Sequence, residues 1–310
     1  MVLRQALLSA SGSRRLRAFA ANSPFARGVV DRFVAGEEVD TVIAVVASLA
    51  QEGLFASVDH LGEDTTHPRQ AAQITEAYIG LLRRLSEEGL SSAAEVSVKP
   101  SAVGLGLGAD GEELATANVA RICAAAREAG TTVTLDMEGP ESVSATLRMV
   151  RVLRADFPWL GCVLQSYLRR TDDDAVAMAT PGARIRLCKG AYALDPAVAH
   201  TSHREVDAAF VRALRTLMQS SAFPMVATHD PRLIEIAGTL AALNRRSADD
   251  FEYQMLYGAR PEEQRRLAGM GARVRVYVPY GRDWYGYLLR RLAERPANLV
   301  FAARAIAGRR

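Results

Sequence analysis

Eight short apolar runs, each closed by turn residues, recur along the chain at nearly even intervals. They read LFASVDHL, AEVSVKP, TVTLDM, LGCVLQSY, RIRLCKGAY, PMVATHD, FEYQML and VRVYVPYG, with the length and period of β-strands. Helical patterns lie between them. Val143, Leu147, Val150 and Leu153 share one helical face, as do Val119, Ile122, Cys123 and Ala126. Asp230 followed by Pro231 predicts a helix start, an N-cap with proline at the first helical position. From Asp59 on the first strand to Tyr277 on the eighth is 218 residues in seven steps. Each step is close to the roughly 30 residues of one βαβ unit. Eight such units predict an α/β chain closed as a (β/α)8 TIM barrel of about 250 residues. The alternative is a doubly wound open sheet, which would place its site in one crevice at a switch point.

Barrel active sites gather at the C-terminal strand ends. Here those ends carry Asp59 and His60, Lys99, Asp136, Gln165, Lys189, Thr228 and His229, Gln254, and Tyr277. Polar ends all round the ring favour the barrel over the open sheet. The chain has 38 basic residues, of which only Lys99 and Lys189 are lysine. Both sit at strand ends, where a compact ammonium does what a planar guanidinium cannot.

Composition narrows the class further. With 49 % apolar and 24 % charged residues the chain is an ordinary globular one. No apolar run approaches the roughly 20 residues of a membrane-spanning helix. Cys123, Cys162 and Cys188 form no CxxC pair, which points to reduced core thiols in a cytoplasmic setting. A net charge of +3 does not suggest nucleic acid. Before Asp31 stand Arg4, Arg14, Arg15, Arg17 and Arg27 and no acid, a pattern of transit peptides, of basic surfaces for anionic lipid, or of short helices packed on a larger domain. The expected organisation is a helical segment over residues 1–45 and a barrel over 46–310. GLGADG at Gly106–Gly111 fits a dinucleotide fingerprint only weakly and reads as a loop. His200 and His203 are accompanied by no cysteine and no cluster of acids, so they read as surface histidines and no metal site is expected. Asp172, Asp173 and Asp174 read as an N-cap and first helical turn.

The segments SVKPSAVG, TLDME, LQSYLRRT, RIRLCKGAY, ATHD, FEYQMLYGA and VYVPYGRDWYGYLLRRLAER together resemble the flavin-dependent proline dehydrogenases in their monofunctional bacterial form. The likeness runs from RFVAGE at Arg32–Glu37 to the last helix. It implies a distorted (β/α)8 barrel with short N-terminal helices, with FAD at the C-terminal face. It further implies oxidation of L-proline to Δ1-pyrroline-5-carboxylate, a membrane quinone as electron acceptor, and contact with the inner face of the membrane. A pyrroline-5-carboxylate dehydrogenase would take the product.

By that resemblance Arg290 and Arg291 clamp the proline carboxylate, Lys99 completes the cationic corner, and Glu294 holds an arginine in place. Tyr277, Tyr287 and Leu256 match residues that pack on the substrate. Asp136 and Arg186 are the implied catalytic pair. Met137, Gln165 and Arg186 match the flavin ring site, and Lys189, Gly190, Ala191, Thr228 and His229 the rest of the cofactor. Apart from the resemblance, Tyr285 is an expected position for size discrimination, since bulk there would exclude hydroxyproline. Two rival readings remain at this point: a Schiff-base aldolase or lyase using Lys99 or Lys189, and a non-catalytic barrel binding an acidic ligand.

Overall fold

The computed structural model describes residues 30, 32–190, 195–285 and 287. Within them eight parallel strands form a closed ring in sequence order. They are β1 (Phe55–His60), β2 (Ala94–Val98), β3 (Val133–Leu135), β4 (Gly161–Gln165), β5 (Arg184–Cys188), β6 (Phe223–Ala227), β7 (Glu252–Leu256) and β8 (Val274–Tyr280). Closure comes from β8 pairing with β1, Ala56 opposite Val276 and Val58 opposite Val278, which excludes the open sheet.

Helix α1 (Val39–Gln51) precedes β1 and runs across residue 45, so the expected division there falls inside an element. Seven helices then follow the first seven strands: α2 (Pro68–Glu87), α3 (Gly111–Ala129), α4 (Val143–Leu153), α5 (Thr171–Met178), α6 (His203–Gln219), α7 (Pro231–Leu243) and α8 (Pro261–Gly269). Their starts follow from local chemistry. Asp230 caps α7 as its sequence predicts, accepting from the Arg232 amide at 3.1 Å. Ser202 and Glu205 close a capping box on α6. The acidic trio lies in the first turn of α5, where it meets the helix dipole, but the N-cap itself is Arg170.

The side chains of each strand alternate between two faces, and both faces are buried. One face is apolar: Val58, Val96, Leu135, Ile185 and Val276 join the helix residues Leu81, Ile122 and Leu214 in the main core. The other face lines the lumen and is polar. Ser57 and Asp59 of β1, Glu95 and Ser97 of β2, Glu252 and Gln254 of β7, with Thr134, Arg186 and Arg275, are each at most 5 % exposed. Barrel interiors are ordinarily filled by branched apolar side chains. An ionic filling costs several kcal/mol per charge unless each is paired.

Each charge in the layer below the mouth has an opposite partner, although the buried Arg184 Nε has no hydrogen-bond acceptor among the described residues. Arg184 donates to Glu95, and Glu95 also accepts from Ser57 at 3.0 Å, Thr132 at 2.8 Å and Thr134 at 3.2 Å. Arg275 donates to Glu252 at 2.8 Å and Arg273 to the same carboxylate at 3.2 Å.

Candidate active site

One strand step above that layer, five strands (β1, β2, β3, β5 and β8) contribute to a single cluster. Lys99 follows β2, and its ammonium donates to Asp59 Oδ2 at 2.5 Å and to the Tyr277 hydroxyl at 3.3 Å. Asp136 Oδ2 lies 3.7 Å from the same nitrogen and Glu63 Oε1 3.8 Å. Asp136, just past β3, accepts from Tyr277 at 2.7 Å, from Arg186 at 2.7 Å and from Ser97 at 2.8 Å. The Tyr277 ring is within cation–π reach of both cations, with Lys99 Nζ 5.9 Å and Arg186 Cζ 5.3 Å from its centroid. Thus Lys99, Asp136 and Tyr277 converge as the strand-end argument requires, and Arg186, implied only by the resemblance, joins them. Parity sends His60 the other way, its ring edge-on to Tyr280 at 5.1 Å and Tyr78 at 6.0 Å.

The electrostatics follow from burial opposed by close charges. Burial alone would lower the Lys99 pKa, but Asp59, Asp136 and Glu63 outweigh it and hold the ammonium above its ordinary value. A lysine kept charged in this way is a poor nucleophile, which removes the physical basis of the Schiff-base reading at Lys99. Burial drives the Tyr277 phenol well up, helped by Asp136 and Asp59, so it stays a hydrogen-bond donor.

Glu138, three residues past β3, accepts from the Ser101 amide at 2.8 Å and from its hydroxyl at 2.6 Å. Ser101 also accepts from the Asp64 amide at 3.2 Å and from Thr65 at 2.8 Å, which ties the loop carrying Glu63 to the mouth. Burial, with Glu63 adding to it, pushes the Glu138 carboxyl up from 4.5 to about 7. The folded chain therefore holds this proton more tightly than the unfolded one, so its contribution to stability is lost as pH rises through that window. Glu138→Gln mimics the protonated acid. It should gain stability on the wild type by up to roughly 3 kcal/mol between pH 5 and pH 8. Urea melts of both proteins across that range check this, and a difference flat in pH would refute it.

Around the rim the other candidates fall into distinct groups. Gln165 closes β4 and donates to the Met137 carbonyl at 3.1 Å; its buried Oε1 has no partner among the described residues. Lys189 is paired with Asp207 at 2.6 Å and Asp230 at 3.2 Å, away from the Lys99 cluster. Gly190 has φ +95°, and a Cβ there would lie 2.1 Å from the Tyr167 ring, so no other residue fits. Thr228 accepts from the Asp230 amide at 3.2 Å. His229 and Leu256 are joined directly, the Leu256 amide donating to His229 Nε2 at 2.9 Å. Tyr287 and Tyr285 are buried with Phe33, Val34, Leu61 and Trp284 in a second apolar cluster beside the barrel. Ala191, Arg290, Arg291 and Glu294 lie outside the described residues.

Sequence reasoning did not single out Glu63, Ser101 or Glu138, all just beyond strand ends, Ser101 in the 3-10 turn Pro100–Val103. KPS after β2 and DME after β3 carried the only signal, a polar residue two places past a strand-end charge. Asp59 and Gln254 stood among the strand ends but received no role.

A family model described as proline dehydrogenase matches residues 42–304. Proline dehydrogenase 1 of Bacillus subtilis (strain 168) is 39 % identical over 275 residues, 89 % of each chain. Proline dehydrogenase of Deinococcus radiodurans is 38 % identical over 281 residues, 90 % of each chain. Among solved structures, proline utilization A (PutA) from Bdellovibrio bacteriovorus, inactivated by N-propargylglycine, aligns with a TM-score of 0.79 at 24 % identity. That alignment spans 86 % of this chain and 32 % of the other and is a likeness of fold. With a charged lysine, a donor tyrosine and a carboxylate at the barrel mouth, and relatives of this identity over nearly its full length, the chain belongs to the proline dehydrogenase family and is an oxidoreductase acting on proline.

Proposed function

We propose that the chain converts L-proline to Δ1-pyrroline-5-carboxylate with FAD held at the barrel mouth, and delivers the electrons to a membrane quinone. The observation that carries this reading is Lys99, a buried ammonium fixed at the mouth between β1, β3 and β8. It is a compact cation placed for a small carboxylate. The described mouth also holds the carboxyls of Asp59, Glu63 and Asp136 against Lys99 and Arg186, with Glu138 partly protonated beside them. An anionic substrate needs further cations, and we assign these to Arg290 and Arg291. The sequence puts them three and four residues after Tyr287, the spacing that shares one helical face, with Glu294 as their carboxylate partner.

The residues present fit a flavin. Gln165 offers an unpaired buried amide oxygen, which needs a donor such as a ring N–H. Arg186 supplies a fixed buried charge, its donors engaged by Gln254, Ser97, Asp136 and Ser57. We assign Met137, Gln165 and Arg186 to the ring, and Lys189, Gly190, Ala191, Thr228 and His229 to the phosphate and adenosine side. When bound, FAD accepts the hydride from the proline carbon next to nitrogen. The nitrogen lone pair drives that loss, so the amine must be neutral. Orientation by Lys99 and Tyr277, and exclusion of water from a site whose walls are nearly all buried, are the chain's contribution.

Electron transfer to a quinone calls for contact with a membrane. Among the described residues no helix is long and apolar enough to cross one. We assign a peripheral contact to the arginine-rich residues before Asp31. The product would pass to a pyrroline-5-carboxylate dehydrogenase. The test is an absorbance spectrum of purified protein before and after L-proline: a flavin band that bleaches with L-proline and not with D-proline is expected. Protein that stays colourless after incubation with FAD overturns the reading.

A further inference from the structure

The mouth and the ionic layer beneath it meet at Arg186, and the way they meet is informative. Arg186 stands next to two buried carboxylates, Glu95 and Glu252; it hydrogen-bonds neither, although its Nη2 lies 3.6 Å from Glu95 Oε1. Two neutral side chains intervene. The Ser57 hydroxyl accepts from Arg186 Nη2 at 3.0 Å and donates to Glu95 at 3.0 Å. The Gln254 amide oxygen accepts from Arg186 Nε at 2.5 Å, while its nitrogen donates to Glu252 Oε1 at 2.6 Å.

The amide has one orientation open to it. A guanidinium can only donate and an ionised carboxylate can only accept, so oxygen must face Arg186 and nitrogen must face Glu252. Glu252 stays ionised: burial opposes this, but Arg275 and Arg184 hold its pKa below the ordinary value. Arg275 fixes that carboxylate at 2.8 Å, so in the chain Arg275, Glu252, Gln254, Arg186 from the barrel floor to the mouth the donor-to-acceptor order reverses once, at Glu252, which accepts from both sides. Gln254 is 3 % exposed and sits on the lumen side of β7, so it reaches neither solvent nor the outer helices.

We propose that Gln254 is a positioning residue, which anchors the Arg186 guanidinium on Glu252 through a neutral link and so leaves its positive charge for the site above. This rests on the reading of Arg186 as a flavin-facing charge. A direct carboxylate at position 254 would pair with Arg186 and take that charge up. An apolar residue would free Nε to lean toward Glu252, with the same sign of effect. On the β1 side Ser57 bridges Arg186 to Glu95, which also lies within ion-pair distance at 3.6 Å, and Asp136 is the carboxylate that hydrogen-bonds Arg186, shared with Tyr277 and Ser97.

The experiment measures the midpoint potential of the bound flavin by equilibration with a reference dye, in wild type, Gln254→Glu and Gln254→Met. Reduction adds negative charge at the flavin, so less free positive charge beneath it makes reduction harder. Gln254→Glu should lower the reduction equilibrium about tenfold, which is about 30 mV for a two-electron couple. Turnover should fall with it while the Michaelis constant for proline stays within about twofold, because the lysine corner on β2 is untouched. Gln254→Met should shift the potential in the same direction, and it decides the matter if the glutamate variant fails to load flavin. A loss of thermal stability with potential and Michaelis constant both unchanged would reduce Gln254 to a packing role and overturn the proposal. A wild type that binds no flavin would overturn the cofactor reading beneath it instead.

Discussion

Replacing Lys99 with methionine should raise the Michaelis constant for proline by about 10- to 100-fold and destabilise the fold by roughly 3–5 kcal/mol at neutral pH. The first effect follows from removing a charged donor from the carboxylate of the substrate. The second has a different origin. Asp59 is fully buried, and Lys99 at 2.5 Å is its charge partner. Without that partner an ionised Asp59 is stranded, and it will take up a proton instead. A raised carboxyl pKa in the folded state means stability lost as pH rises, so the destabilisation should shrink on acidification. The double variant Asp59→Asn with Lys99→Met removes the stranded charge. It should recover most of the stability and none of the affinity, which separates the two roles in one comparison. Steady-state kinetics and urea melts at pH 5 and pH 7.5 provide the readings. A folded Lys99→Met protein with an unaltered Michaelis constant would end the assignment of Lys99 to the substrate.

The sequence showed the ring of strands clearly because spacing and turn chemistry are local properties. Strand ends were legible for the same reason. Lys99, Asp136 and Tyr277 could be placed at one mouth before any contact was known, since each ends a strand or lies close to its end, whereas Arg186 was reached only through the resemblance. What the lumen contains was not legible. Runs such as AEVSV, RIRLC, EYQML and VRVYV alternate charged with apolar residues, the usual sign of a strand with one face in water. Only ring closure turns the polar face inward, where Glu95, Arg184, Arg186, Glu252 and Arg275 find one another across separations of up to 180 positions. Lys189 shows the same limit of local reasoning. Its strand-end position suggested a free cation facing a ligand, yet Asp207 of α6 and Asp230 before α7 come from elsewhere in the chain to pair with it. The loop carrying Glu63 is held by Ser101, and Ser101 by Glu138, through bonds spanning about one βαβ unit each.

Glu95 is where that hidden layer can be tested. It is 1 % exposed and touches Arg184, Arg275, Arg186, Ser57, Thr132 and Thr134. Burial works against its charge, but Arg184, Arg275 and Arg186 together hold its pKa down to about 2 from 4.5. Truncation to alanine leaves Arg184 without its carboxylate while Arg275 keeps Glu252. Removing one member of a buried ionic group in this way costs about 3–5 kcal/mol, which for a chain of 310 residues lowers the melting midpoint by roughly 5–8 °C. Glu95→Gln keeps hydrogen-bonding partners for the threonines and Ser57 and should lose less. The depressed pKa fixes the sign of the pH effect: Glu95 contributes stability above about 4.5, and that contribution is lost as pH falls toward about 2. The gap between wild type and Glu95→Gln should therefore narrow on acidification through that window. A gap of constant size from pH 7 down to pH 3 would show that the arginines gain nothing from the charge, and that the lumen is held by hydrogen bonds alone.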